Sequence, residues 1–277
     1  MSYHRPETLK SALELLAQPD GLVVAGGTDV YPSVQRAQRP SYYLDVTAID
    51  GLSEIEHSDH GTRIGASVTW GEIVRADLPA AFDGLRAAAR EVGSVQIQNA
   101  GTMAGNICNA SPAADGVPPL LTLDAKVELR SAARGLREVL LSDFIQGVRK
   151  TDLLADELVT AILIPPVPTD ACSAFEKLGS RRYLVISITM TSAIVSCDAI
   201  GKITEARIAV GACSPVAQRL HRLEAEMVGL SADEITVTAD HLADLSPIDD
   251  VRGSGPYRLD VVADQCRRAL RRSMQYE

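Results

Sequence analysis

Val23-Val24-Ala25-Gly26-Gly27-Thr28-Asp29 and Gly101-Thr102-Met103-Ala104-Gly105-Asn106-Ile107-Cys108-Asn109-Ala110-Ser111-Pro112-Ala113-Ala114-Asp115 are the two stretches that decide the fold of this chain. The first follows an apolar run that begins at Leu22. Its tandem glycines permit positive φ and carry no Cβ to obstruct a ligand, so backbone N–H groups can face phosphate oxygens without a cationic side chain. It has neither the Lys-Ser/Thr ending of a P-loop nor the G-x-G-x-x-G spacing of a Rossmann loop. Taken alone, such a stretch reads as a glycine turn between strands. The second stretch changes that reading. Residues 99–115 are mostly small or polar, with long apolar side chains at Met103 and Ile107, and the pattern reads as a long functional loop. Thr102, Asn106, Asn109 and Ser111 supply hydroxyls and amides, and Asp115 supplies a carboxylate suited to sugar hydroxyls. Two such loops in one chain suit a large, hydroxyl-rich dinucleotide.

Working outward, Leu9, Ala12, Leu13 and Leu16 recur at helical spacing, and Pro19-Asp20-Gly21 ends that helix. Strands are expected at 22–25 and 42–46, which makes a small α/β unit around the first glycine loop. Another strand is expected at 62–68, followed by Thr69-Trp70-Gly71-Glu72, a capping box at a helix start. A helix over 78–92 then leads into the second stretch. Beyond it come a helical turn at 118–123 and strands at 126–130 and 158–164, closed by Pro165-Pro166-Val167-Pro168, the best candidate domain boundary. Segments 175–179, 186–197 and 203–211 read as an antiparallel meander, and 217–228, 235–242 and 257–274 as helices.

Composition narrows the partners. The chain has 277 residues, 46% hydrophobic and 23% charged, as expected of a soluble globular protein with room for two or three subdomains. A net charge of -9 argues against nucleic acid, which selects for a clustered basic face. The one basic cluster, Arg267, Arg268, Arg271 and Arg272, has helical spacing and reads as a solvated face or a subunit contact. Cys108, Cys172, Cys197, Cys213 and Cys266 form no C-x-x-C pair, so they read as reduced thiols, with no iron–sulfur or zinc ligand set. Cys108 is expected to have a packing role. His57 and His60 flank a polar Ser58-Asp59 and read as a solvated turn. With no apolar leader and no window long enough to span a bilayer, the expected location is cytoplasmic, without membrane insertion.

Five short motifs then fall in a recognisable order. They are the two quoted stretches, Glu157-Leu158-Val159 ahead of Ile164-Pro165, Phe175-Glu176-Lys177, and Asp249-Asp250-Val251-Arg252-Gly253-Ser254. Together they resemble the FAD-carrying subunits of the molybdenum hydroxylase family, which includes the FAD subunit of bacterial xanthine dehydrogenases and the medium subunit of aerobic carbon monoxide dehydrogenase. The resemblance covers nearly the whole chain. It implies an α+β fold: a two-part FAD-binding domain of the vanillyl-alcohol oxidase (PCMH) type over 1–55 and 56–168, then a C-terminal domain of the carbon monoxide dehydrogenase flavoprotein type over 169–277, with an antiparallel sheet and helices.

The same resemblance implies a site. Val24, Ala25, Gly26, Gly27, Thr28, Asp29 and Val30 would surround the pyrophosphate of FAD. Thr102, Gly105, Asn106 and Ser111 would form the facing side of the cradle, and Asp115 would bind cofactor hydroxyls. Val92 would be an apolar flavin contact, Val159 a backbone contact near the ring and Lys177 a polar contact. Asp115 is expected to be removable without unfolding the chain. Ala104 departs from the family, where many members have the first glycine of a Gly-Gly-Asn triplet. No catalytic side chain and no metal ligand is expected here. A large partner subunit would carry molybdopterin and a small one two [2Fe-2S] clusters, as a dimer of heterotrimers, with NAD+ or another acceptor taking electrons from FAD. The segments 211–217 and 250–254 look more like purine or xanthine dehydrogenase subunits than carbon monoxide dehydrogenase. Two alternatives stay open at this point: a self-sufficient flavin oxidoreductase of the same fold, and a dinucleotide-binding protein without turnover.

Overall fold

Residues 2–30 and 40–275 are described by the computed structural model. Strands β1 (Ser2–His4), β2 (Gly21–Val24) and β3 (Tyr42–Asp45) form a parallel sheet in the order β1-β3-β2. The crossover into β2 is the helix Leu9–Leu16, started by Thr8, whose hydroxyl accepts from the Ser11 amide. Its Ala12 and Leu16 are buried against Tyr42, Leu44 and Val46. Parallel pairing puts the glycine loop at the carboxyl end of the sheet, where open α/β sheets place ligands.

A second sheet follows, antiparallel throughout. It contains β4 (Ile55–Ser58), β5 (Gly61–Gly65), β6 (Lys126–Ser131), β7 (Gly135–Leu140) and β10 (Glu157–Ile164), in the order β4-β5-β10-β6-β7. The short β8 (Ile145–Gly147) and β9 (Lys150–Thr151) pair separately. Helices Trp70–Arg75, Asp83–Glu91 and Val117–Thr122 belong to the same unit, and Trp70, Phe82, Leu85 and Leu120 share its core with Ile64, Val127 and Ile162.

The third sheet, β11 (Cys172–Leu178), β12 (Thr189–Cys197), β13 (Ile203–Gly211) and β14 (Gln218–Arg219), is an antiparallel meander in chain order. The helix Gly255–Ser273 packs Val262, Cys266 and Leu270 against Val195 and Ile208. Helices Asp83–Glu91 and Val117–Thr122 of the preceding unit also meet this sheet, so β12 is buried along nearly its whole length. The arginine cluster is a solvated, ion-paired face: Arg267 and Arg268 meet Asp264, and Arg272 reaches Glu176 at 2.5 Å.

Some expected elements differ. Segment 217–228 divides into β14 and the helix His221–Met227. Segment 235–242 is not one helix; residues 235–238 connect the 3-10 turn Ala232–Glu234 to a second one, Ala239–Leu242. Ile235, Thr236, Val237 and Thr238 are four consecutive β-branched residues, whose χ1 freedom a helix would restrict. His57 stands in β4, with Nδ1 2.7 Å from the Thr62 hydroxyl, while His60 occupies the turn. The outer strands β4 and β7 lay outside the sequence expectations, which included β5 and β6, because these exposed strands carry mixed polar residues without clean alternation.

Candidate cofactor-binding site

At the end of β2 the chain enters the loop of Ala25, Gly26 and Gly27, and Gly27 takes a left-handed φ of 68°. Gly26 lies directly on the backbone of the second stretch: a Cβ built there would stand 1.8 Å from the Ala100 carbonyl oxygen. That backbone is itself fastened. Trp70 N donates to Gly101 O at 3.1 Å, Met103 N donates to Val68 O at 3.1 Å, and Thr69 and Thr102 form an isolated bridge. The expected Thr69–Glu72 capping box is present and holds this corner from the other side.

The second stretch is not a long loop. The helix Val95–Ala100 runs into its start, and it contains the helix Met103–Asn109. Thr102 caps the second, accepting from Gly105 N at 3.0 Å, and Met103 and Ile107, one helical turn apart, have no exposure. Two long apolar side chains therefore suffice to seat it, because the small residues between them let the helix pack close.

Between the glycine loop, this helix and the start of β10 lies a cavity of about 370 Å³. Ala25, Gly26, Gly27, Thr28, Asp29, Val30, Val92, Thr102, Gly105, Asn106 and Val159 all stand on its wall. Val24 sits just before it, with its carbonyl taken by Val46 N at 3.0 Å. The sequence reading did not include Trp70, Ile97, Leu153 and Glu157, which also line the cavity. Trp70 carried a signal as the single tryptophan within the capping motif, and Glu157 as the first residue of the Glu157-Leu158-Val159 motif. Among the described residues no lysine or arginine lines the wall, so an anionic ligand there meets backbone N–H groups, hydroxyls and amides. Of the two wall carboxylates, Glu157 is buried and held by Arg137 through bonds of 2.7 Å, which draws its carboxyl below the usual range.

Cys108 faces the cavity, and burial pushes its thiol up to about 12. It should therefore stay unalkylated by iodoacetamide at pH 8 in the folded protein and react only after denaturation, as peptide mass mapping would show.

Ser111, Asp115 and Lys177 are not on the wall. The Ser111 hydroxyl accepts from Ala113 N at 3.3 Å within a turn. Asp115 and Lys177 are nearly buried and bond each other at 2.6 Å, with Ser187 on the second carboxylate oxygen. Burial raises the Asp115 carboxyl above its ordinary value, while Lys177 and Ser187 oppose that rise. Removing Asp115 would strand a buried ammonium, so its loss should cost folding stability as well as any cofactor contact. Lys177 also donates to Glu91 O at 3.0 Å, a cation at a helix C-terminus immediately before the wall residue Val92.

The family described as "FAD binding domain in molybdopterin dehydrogenase" matches residues 1–167, and "CO dehydrogenase flavoprotein C-terminal domain" matches residues 173–273. This chain belongs to the FAD-binding subunits of the molybdenum hydroxylases. The xanthine dehydrogenase FAD-binding subunit of Escherichia coli O157:H7 is 32% identical over 97% of this subunit and 94% of its own length. The nicotinate dehydrogenase FAD-subunit of Eubacterium barkeri is 34% identical over 82% of this chain and 79% of its own. A chain of the crystal structure of the Cu,Mo-CO dehydrogenase in its cyanide-inactivated form superimposes with a TM-score of 0.90, at 28% identity, covering 99% of this chain and 98% of that one. The fold is thus that of a carbon monoxide dehydrogenase medium subunit, and this FAD-binding subunit is one component of a multi-subunit oxidoreductase. In this family molybdopterin and iron–sulfur clusters reside on partner subunits. Among the described residues no helix is long and apolar enough to cross a membrane, and no group of His, Cys, Asp or Glu side chains could hold a metal ion.

Proposed function

We propose that this subunit holds FAD in the cavity between its two loops and relays electrons from the [2Fe-2S] clusters of a small partner to NAD+ or another acceptor. In this reading a large molybdopterin subunit oxidises the substrate, and the complex is a dimer of heterotrimers. The observation that carries it is the contact of Gly26 with the Ala100 backbone, which joins two donor-rich loops around a cavity without lysine or arginine on its described wall. Gly26, Gly27 and Thr28 would hold the diphosphate from one side, and Thr102, Gly105 and Asn106 would face it from the other. Val92 and Val159 would give apolar contacts, while Asp115 and Lys177 would act from behind the wall. The three-part division at 55/56 and 168/169 assigns each loop to a separate half of the cradle. Bound FAD supplies two-electron and one-electron redox chemistry, and this chain supplies binding and orientation.

Xanthine-type or other N-heterocycle oxidation fits the 211–217 and 250–254 segments, and aldehydes remain within the same chemistry. Acid release from the purified chain should yield one FAD per polypeptide, and anaerobic NADH should bleach it if NAD+ is the acceptor. A colourless chain that cannot be reconstituted with FAD would overturn the assignment. Purification of the tagged subunit from its source should bring a molybdenum-containing large chain and an iron–sulfur small chain.

A further inference from the structure

Ser187 has no solvent exposure, and its hydroxyl donates to Asp115 Oδ1 at 2.5 Å. The other carboxylate oxygen receives Lys177 Nζ at 2.6 Å, and the same ammonium donates to Glu91 O. Glu91 closes the helix Asp83–Glu91, and the next residue, Val92, stands on the cavity wall. On its other side, the Ser187 carbonyl accepts from Arg252 at 2.9 Å, and Asp250 holds that guanidinium. Asp250 also binds the wholly buried Arg258 at 2.6 Å. These bonds cross between the two family regions: Asp115 and Glu91 belong to the first, Lys177, Ser187 and Arg252 to the second. The apolar contact of Ala88 with Phe175 and Met190 at the same junction is non-directional, so it tolerates sliding. Hydrogen bonds with one donor on each carboxylate oxygen do not.

We propose that Ser187 is a positioning residue for the cofactor cavity: through Asp115 it fixes the Lys177 ammonium under the Glu91 carbonyl, and so sets where Val92 stands on the wall. The assignment rests on the FAD reading of that cavity. Without the hydroxyl, one buried carboxylate oxygen has no donor. The carboxylate then turns toward Lys177 and draws the ammonium off Glu91, which frees the end of the helix.

The test uses the full chain stripped of flavin, as wild type, Ser187→Ala, Asp115→Asn and the double variant. Each is titrated with FAD, and amide exchange is followed at Val92, whose N–H donates to Ala89 O at 3.4 Å. Ser187→Ala removes a single atom and should keep the fold. It should weaken FAD about tenfold, the size expected for one hydrogen bond to a charged group, and should speed Val92 exchange before any FAD is added. The double variant should be no weaker than Asp115→Asn alone, because the hydroxyl acts only through that carboxylate. Unchanged Val92 exchange in Ser187→Ala overturns the proposal, as does full additivity in the double variant. Wild-type FAD affinity in Ser187→Ala overturns it too. If the wild-type chain takes up no FAD, the cavity reading fails, and the exchange data alone then decide the role of Ser187.

Discussion

Gly26→Ala should abolish useful FAD binding, lowering affinity by on the order of a hundredfold or more, the loss expected when two or three hydrogen bonds to a charged ligand group can no longer form together. The added Cβ would stand 1.8 Å from the Ala100 oxygen, 2.4 Å from its carbonyl carbon and 2.8 Å from Gly101 Cα. All three are backbone atoms, so no rotamer change relieves the clash. The Ala100–Gly101 backbone cannot retreat cheaply, because Trp70, Ile97 and the Thr69–Thr102 bridge hold it. The two loops must therefore part, and the diphosphate can no longer be met from both sides. The fold should lose about 1–3 kcal/mol, as in other cases of overpacking. FAD titration of the apo-protein and a thermal melt separate these effects. Gly147→Ala is the control: its Cβ would sit 3.8 Å from Lys150, an ordinary contact, and it should bind FAD as the wild type does. A Gly26→Ala protein that retains tight FAD would show that the loops do not meet around the cofactor.

How far the sequence reveals the site depends on the range of the interaction concerned. The glycine loop and the Thr69–Glu72 box are local devices, specified within a few residues, and both stand where they were read. The helix Met103–Asn109 was hidden because its fit depends on a core supplied by distant strands, against which Met103 and Ile107 need bury only two side chains. Its small residues satisfy a loop pattern and a close-packed helix equally well. Asp115 and Lys177 are 62 residues apart, and nothing local announces that each is the other's counterion. The resemblance implies a place near FAD for both, and neither stands on the cavity wall. In the structure the Lys177 ammonium reaches the Glu91 carbonyl, one residue before the wall residue Val92. Ser187 had no signal at all, as a serine before a strand has many uses.

Lys177→Met should cost about 3–5 kcal/mol of folding stability near neutral pH, the range seen when one partner of a buried ion pair is removed. The side chains of Lys177 and Asp115 are only 7% and 9% exposed, so the abandoned carboxylate has no water to replace its partner. The pH dependence identifies the cause. Burial lifts the folded-state value of Asp115 above its ordinary one, Glu91 pushes the same way, and Lys177 and Ser187 push back. Between the unfolded and folded values the folded protein binds the extra proton, so this group makes stability fall as pH rises through that window and leaves it level above. Removing Lys177 takes away the largest opposing influence, raises the folded value further and extends the window upward. The deficit of Lys177→Met against wild type should therefore be fullest at pH 8 and shrink as the pH is lowered toward about 5, where a stranded carboxyl can be protonated. Melting both proteins across that range tests it. A deficit independent of pH would assign the loss to methionine packing, and a melt matching wild type at pH 8 would show that the pair does not hold the two regions together.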